Sequence, residues 1–166
     1  MTWKSGPLVK LILFVLLLTA AQARLGDTEA ELAKRFSRPI SITSHSIYAQ
    51  GKRFVLGPTH TYKQDDWYIS CDLIDGRCVR IRYSKPGDWT EDHIQVVLNS
   101  NGQGAKWDER TKPGNKSFQR QWSRSDGSTA RWSRGGSMDL EWDAYTKAKA
   151  TVEERAKVEA KKKPKL

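Results

Sequence analysis

Three histidines, His45, His60 and His93, are the side chains best suited to move protons near neutral pH. His45 stands between Ser44 and Ser46, and Asp65, Asp66 and Asp92 are acids that folding could bring beside an imidazole. Such parts could assemble a hydrolase in which a histidine serves as general base for a serine. The patterning argues against it. The chain carries no nucleophile elbow, no HExxH and no glycine-rich phosphate loop. Gly102-Gln103-Gly104 follows a helical pattern instead of leading from a strand into a helix. Adjacent carboxylates such as Asp65-Asp66 point apart in regular structure, and Glu91-Asp92 suit the first turn of a helix. No catalytic residue and no cofactor is therefore expected.

Cys71 and Cys78 are too few for a zinc site and have no histidine close by, so no metal is expected. They flank Asp75-Gly76 within residues 67–83, where Trp67, Ile69, Cys71 and Leu73 alternate with polar residues, as do Val79, Ile81 and Tyr83 on the return. That is a hairpin with one buried face. A three-residue loop with a bulge at Gly76 would put the cysteines on opposite faces; a two-residue Asp-Gly turn would put them on one face, diagonally placed. The apolar alternation favours the first register, and Cys71–Cys78 remains a candidate disulfide.

The compartment follows from the start of the chain. Lys4 and Lys10 precede an uncharged apolar block at residues 11–18, and Ala21-Gln22-Ala23 places small residues before Arg24. This is a secretory signal peptide, expected to be cut between Ala23 and Arg24 to release a periplasmic or secreted protein. The block is shorter than a spanning helix. The formal net charge is +10. Much of it sits at the far end, where residues 147–166 hold eight basic and three acidic residues. Residues 24–146 are only mildly basic, which argues against specific nucleic-acid binding. Membrane contact is expected only through the signal segment or weak tail electrostatics. The tail reads as a solvated, partly helical or disordered segment, because Ala148, Val152, Ala156 and Ala160 form only a thin apolar stripe.

Between signal and tail the chain reads as one α+β domain made of two halves, residues 24–85 and 86–146. Thr28 and Glu31 have capping-box spacing before a helix over 29–36, which Pro39 ends. Strands are expected at 40–50, 53–56 and 60–62, with Gly57-Pro58 interrupting, and then the hairpin. Thr90 caps a second helix that stops at Asn101-Gly102, with Trp89 and Ile94 placed as a hydrophobic staple. Three short strands follow at 118–123, 130–133 and 138–142, joined at Asp126-Gly127 and Gly135-Gly136. The order predicts an antiparallel sheet covered by helices. Asn115-Lys116-Ser117 fits a glycosylation sequon, relevant only in a eukaryotic secretory host.

The stretches LGDTEAELAKRF, WYISCDLIDGRCVRIRYSK, WTEDHIQVVLNSNGQGAKW and QWSRSDGSTARW resemble small exported bacterial proteins of unknown function. Arg35-Phe36-Ser37 stands where those proteins end the first helix with an aromatic-Gly pair. The order of elements is also similar to the β-lactamase-inhibitor-like and SmpA/OmlA-like folds of envelope proteins. The resemblance implies a protein-interaction role and assigns it to no particular residue. The expectation is a non-enzymatic envelope or secreted interaction module whose partner is a protein or an envelope polymer. An envelope hydrolase using a histidine and a polyanion binder acting through the tail are the alternatives. Trp122, Arg124, Trp132 and Arg134, in two Trp-Ser-Arg repeats, are the candidate binding patch.

Overall fold

The computed structural model describes residues 23–110 and 120–161. The expected signal segment, apart from Ala23, the sequon and the last five residues of the tail lie outside them. Helix α1 (Glu29–Phe36) leads into β1 (Ser41–Ala49), β2 (Lys52–Gln64), β3 (Trp67–Ile74) and β4 (Arg77–Ser84). Helix α2 (Glu91–Ser100) leads into β5 (Asp108–Glu109), β6 (Arg120–Ser123), β7 (Thr129–Ser133) and β8 (Ser137–Glu141), and α3 (Asp143–Lys161) closes the described chain. The strands form one antiparallel sheet in the order β1-β2-β3-β4-β8-β7-β6-β5. Each half is a helix followed by a four-stranded meander, and the last strand of each half pairs with the other's. The fold is α+β.

Local chemistry explains both early helices. Thr28 Oγ1 accepts from the Glu31 amide at 3.3 Å, and Glu31 Oε2 accepts from the Thr28 amide at 2.7 Å. In α2 the same box closes with a histidine: Thr90 Oγ1 accepts from the His93 amide, and His93 Nδ1 accepts from the Thr90 amide at 3.1 Å. Leu32 of α1 and Ile94, Val97 and Leu98 of α2 belong to one buried cluster with Tyr62, Ile69, Cys71, Leu73, Ile81, Tyr83, Ala130, Met138 and Leu140 of the sheet. Burying each large apolar side chain stabilises the fold by roughly 1.5–3 kcal/mol.

Two sequence expectations about the strands are corrected. Gly57-Pro58 does not interrupt the chain; β2 runs through it for 13 residues. His45 and Ser44 of β1 lie opposite Gly57 and Pro58, and a bulge follows between His45 and Ser46. Pro58 is tolerated because its missing N–H falls at this irregular part of the ladder. The β3–β4 hairpin turns on Asp75-Gly76 alone, both at positive φ, with Ile74 opposite Arg77 and Leu73 opposite Cys78. A shift between Asp72 and Leu73 then absorbs one extra residue on β4, so Cys71 faces Ile81. The bulge reconciles the two-residue turn with the apolar alternation.

Because side chains alternate, the other face collects polar residues in cross-strand rows. One row runs Thr43, Thr59, Asp72, Arg80, Glu141, Thr129 and Ser123; the next runs Ser41, Thr61, Ser70, Arg82, Asp139, Arg131 and Gln121. Helix α3 contacts β1, β2 and β4. Residues 147–161 of the expected partly helical or disordered tail are helical, mostly exposed, with Ala156 buried. The thin stripe is supplemented by polar ties: Tyr145 near the start of α3 is buried among β1 and β4 groups, and Lys52 Nζ meets Glu159 Oε2 at 2.7 Å.

Candidate functional site

The polar face concentrates its chemistry around Asp72, which is buried on β3. Its carboxylate faces three elements at once. Thr59 Oγ1 donates to Oδ1 at 2.5 Å, Arg80 Nη1 lies 3.4 Å from Oδ2, and His45 Nδ1 lies 3.3 Å from Oδ2. His45 Nε2 is 3.1 Å from the Tyr145 hydroxyl, which Arg80 Nη1 also reaches at 3.4 Å. With the Nδ1 proton directed at Asp72, the neutral imidazole accepts from Tyr145, and Tyr145 accepts from Arg80. Arg82 grips Asp139 through Nε at 2.7 Å and Nη2 at 3.1 Å. Thr43, Thr61, Ser70 and Arg82 border a recess of about 280 Å³ beside this network.

Burial holds His45 below its ordinary imidazole pKa; Asp72 opposes that shift, while Arg80 and Lys149 add to it. A folded imidazole with a lowered pKa takes up a proton less readily than the unfolded chain does. The stability it brings is intact above the unfolded value of 6.5 and is lost as pH falls through the folded value. Urea midpoints measured from about pH 7.5 to about pH 5 should therefore fall more steeply for the wild type than for His45→Gln. Equal slopes would show that His45 does not carry this dependence.

The arrangement is an acid, an imidazole and a phenol in line, yet it is closed. Tyr145 is 3% exposed and burial raises its pKa, so it stays a protonated phenol. Among the described residues no serine or cysteine hydrogen-bonds a histidine ring. His60 is buried, 3.4 Å from the Tyr62 hydroxyl and 3.7 Å from Glu29. His93 serves as a helix cap and stacks edge-on near Trp67 and Trp89. Asp65 and Asp66 are exposed in the β2–β3 turn, and Asp92 is exposed in the first turn of α2. Both cysteines are free, fully buried thiols on the apolar face. Burial pushes the Cys78 thiol well up, with Cys71 adding to the effect, which leaves it protonated and unreactive. Among the described residues no group of three His, Cys, Asp or Glu side chains could hold a metal ion.

The candidate aromatic patch is corrected at its centre. Trp122 is 3% exposed and packs in the core under Arg120, whose guanidinium carbon lies 4.8 Å from its ring. Arg124 is equally buried: its guanidinium lies over Trp107 and donates to the carbonyl of Asn101. Both repeats lie where the strand alternation turns their tryptophan toward the core, and Trp122 with Arg124 offers no solvent-facing surface. Trp132 is half-buried against the core, and Arg134 is exposed in the β7–β8 turn. The expected cleavage bond is also inside the fold. Ala23 is fully buried and its carbonyl accepts from the Tyr83 hydroxyl at 2.7 Å, while the Arg24 amide donates to Asp27 at 2.9 Å.

No family model matches the chain, and no curated protein matches it. Among solved structures, a cysteine-rich secretory protein from Staphylococcus aureus subsp. aureus Mu50 is similar, with a TM-score of 0.46 and 11% identity. The match covers 73% of this chain and 45% of that one, so the chain spans less than half the length of that protein. A likeness of this degree carries no argument about function.

Sequence reasoning missed Asp72, Arg80 and Tyr145. The first two were legible as the polar positions of the alternating hairpin. Tyr145 was not, because nothing local ties a residue after β8 to a histidine on β1, 100 positions earlier.

Proposed function

We propose that this chain is an exported, non-enzymatic protein-interaction module. In this reading α1 and α2 cover the apolar sheet face, and the opposite face beside α3 meets the partner. The observation that carries it is the pair of cross-strand polar rows, which join strands of both halves into one hydroxyl- and charge-bearing surface. Its charges are already paired with one another, as Arg82 is with Asp139 and Arg131 with Glu141. A preorganised surface of that kind gives orientation and specificity on docking at little ordering cost. The recess beside His45 is shallow for a small-molecule site, and the imidazole is engaged on both nitrogens.

Photo-crosslinking side chains placed at Thr43 or Thr61 should capture a defined protein from the native envelope fraction. The same groups at Val96 or Lys106, away from this face, should not. Equal labelling from both sets would contradict the reading.

A further inference from the structure

The two edges of the sheet are unlike. At one end β5 has two residues; at the other β1 has nine, and among the described residues β1 pairs only with β2. Long open edges are ordinarily protected by charge, proline or a bulge. The bulge of β1 comes late, between His45 and Ser46, so residues 41–44 pair in unbroken register, every one of them exposed. Ile40 is 58% and Ile42 60% exposed, beside a recess of about 350 Å³ floored by His60 and Tyr62 and bordered by Ala33 of α1. These isoleucines continue the apolar face past the edge of α1.

Charge identifies the occupant. Residues 39–51 contain no Asp, Glu, Lys or Arg, in a chain of which 29% is charged and whose net charge is +10. A strand recruiting an acidic partner to such a protein would carry lysine or arginine. An uncharged strand lets two copies of a strongly basic chain approach edge to edge, because antiparallel pairing about Ile42 sets Ile42 against Ile42, Ser41 against Thr43 and Ile40 against Ser44, with no like charges opposed. The fold already uses this join internally, where β4 and β8 meet antiparallel. A two-fold axis perpendicular to the sheet keeps both apolar faces on one side, so Ile40 and Ile42 of each copy would cover those of the other.

We propose that β1 is a homodimerisation edge, pairing antiparallel with β1 of a second copy through residues 40–44. It rests on the backbone edge and the apolar side of β1; because Thr43 belongs to both surfaces, Thr61 for the polar face and Ile42 for the edge tell failure of one reading from failure of the other. Sedimentation of the purified protein should show a concentration-dependent dimer. Ile42→Lys, which sets like charges directly opposite across the axis, should weaken it by at least about tenfold, and Ser44→Lys, which sets a charge against Ile40 of the other copy, should weaken it as well, both with circular dichroism unchanged. Val96→Lys, exposed elsewhere, should leave it intact. Ile42→Cys should form an intermolecular disulfide under mild oxidation, and Val96→Cys should not. A wild-type protein that stays a single chain at every concentration overturns the proposal. So does a dimer that survives both lysine variants, or one whose Ile42→Cys form fails to cross-link.

Discussion

Replacing Arg124 with methionine should cost roughly 3 kcal/mol of stability, read as a lowered urea midpoint. Its side chain is 2% exposed and serves four groups. It reaches both carboxylate oxygens of Asp126, at 2.9 and 2.5 Å, and Ser128 Oγ at 3.1 Å. It also donates to the carbonyls of Asn101 and Gly102, which follow the last turn of α2. Arg124 holds the Asp126 carboxyl down at about 2. Asp126 is 39% exposed and would rehydrate on losing its partner, so most of the cost comes from the Asn101 carbonyl and the Ser128 hydroxyl, which lose a buried donor, while the Gly102 carbonyl keeps the Ala105 amide at 2.8 Å. Methionine keeps much of the volume and the contact with Trp107, so the measurement separates donation from packing. A loss below about 1 kcal/mol would mean that water replaces the guanidinium at the end of α2.

Gly57→Ala should be as damaging, at about 3 kcal/mol or more, for a steric reason. A Cβ at this position would lie 1.9 Å from the Leu73 carbonyl oxygen. That atom is backbone and cannot swing aside, so β2 and β3 would have to separate where Thr59 and Asp72 pair. The expected signature is a lower melting temperature together with faster amide exchange in β2 and β3. Near-wild-type stability would show that the two strands approach less closely than described.

The sequence announced these features unevenly. Helices α1 and α2 were readable to the residue because their caps are local: Thr28 with Glu31, and Thr90 with the turn that follows. The hairpin strands were readable because Trp67, Ile69, Cys71 and Leu73 alternate. The register at its turn was not, because a bulge leaves Val79 as the extra residue and brings Cys78 onto the apolar face opposite Leu73, with no mark in the spacing. Gly57-Pro58 looked like punctuation, since the need for glycine there comes from Leu73 on the neighbouring strand. Arg124 looked like surface charge, since the carbonyls that absorb it belong to α2. The contacts of α3 join residues far apart in the chain, Tyr145 with His45 and Glu159 with Lys52, 107 positions apart, a separation that local patterning does not reach.

The capped helices and the paired meanders build one sheet with an apolar face turned inward, and in the proposed function its patterned polar face meets the partner. Asp72, His45 and Tyr145 satisfy one another on that face and tie the start of α3 to the sheet.

The most direct measurement is a titration of the protein cross-linked from Thr43 or Thr61 against wild type, Thr43→Arg, Thr61→Arg and His45→Gln. An arginine at either threonine should weaken binding by at least about tenfold without lowering the melting temperature, because it adds bulk and like charge beside Arg80 and Arg82. Unchanged affinity in both arginine variants, or turnover of that protein that His45→Gln abolishes, would contradict a non-enzymatic module acting through this face.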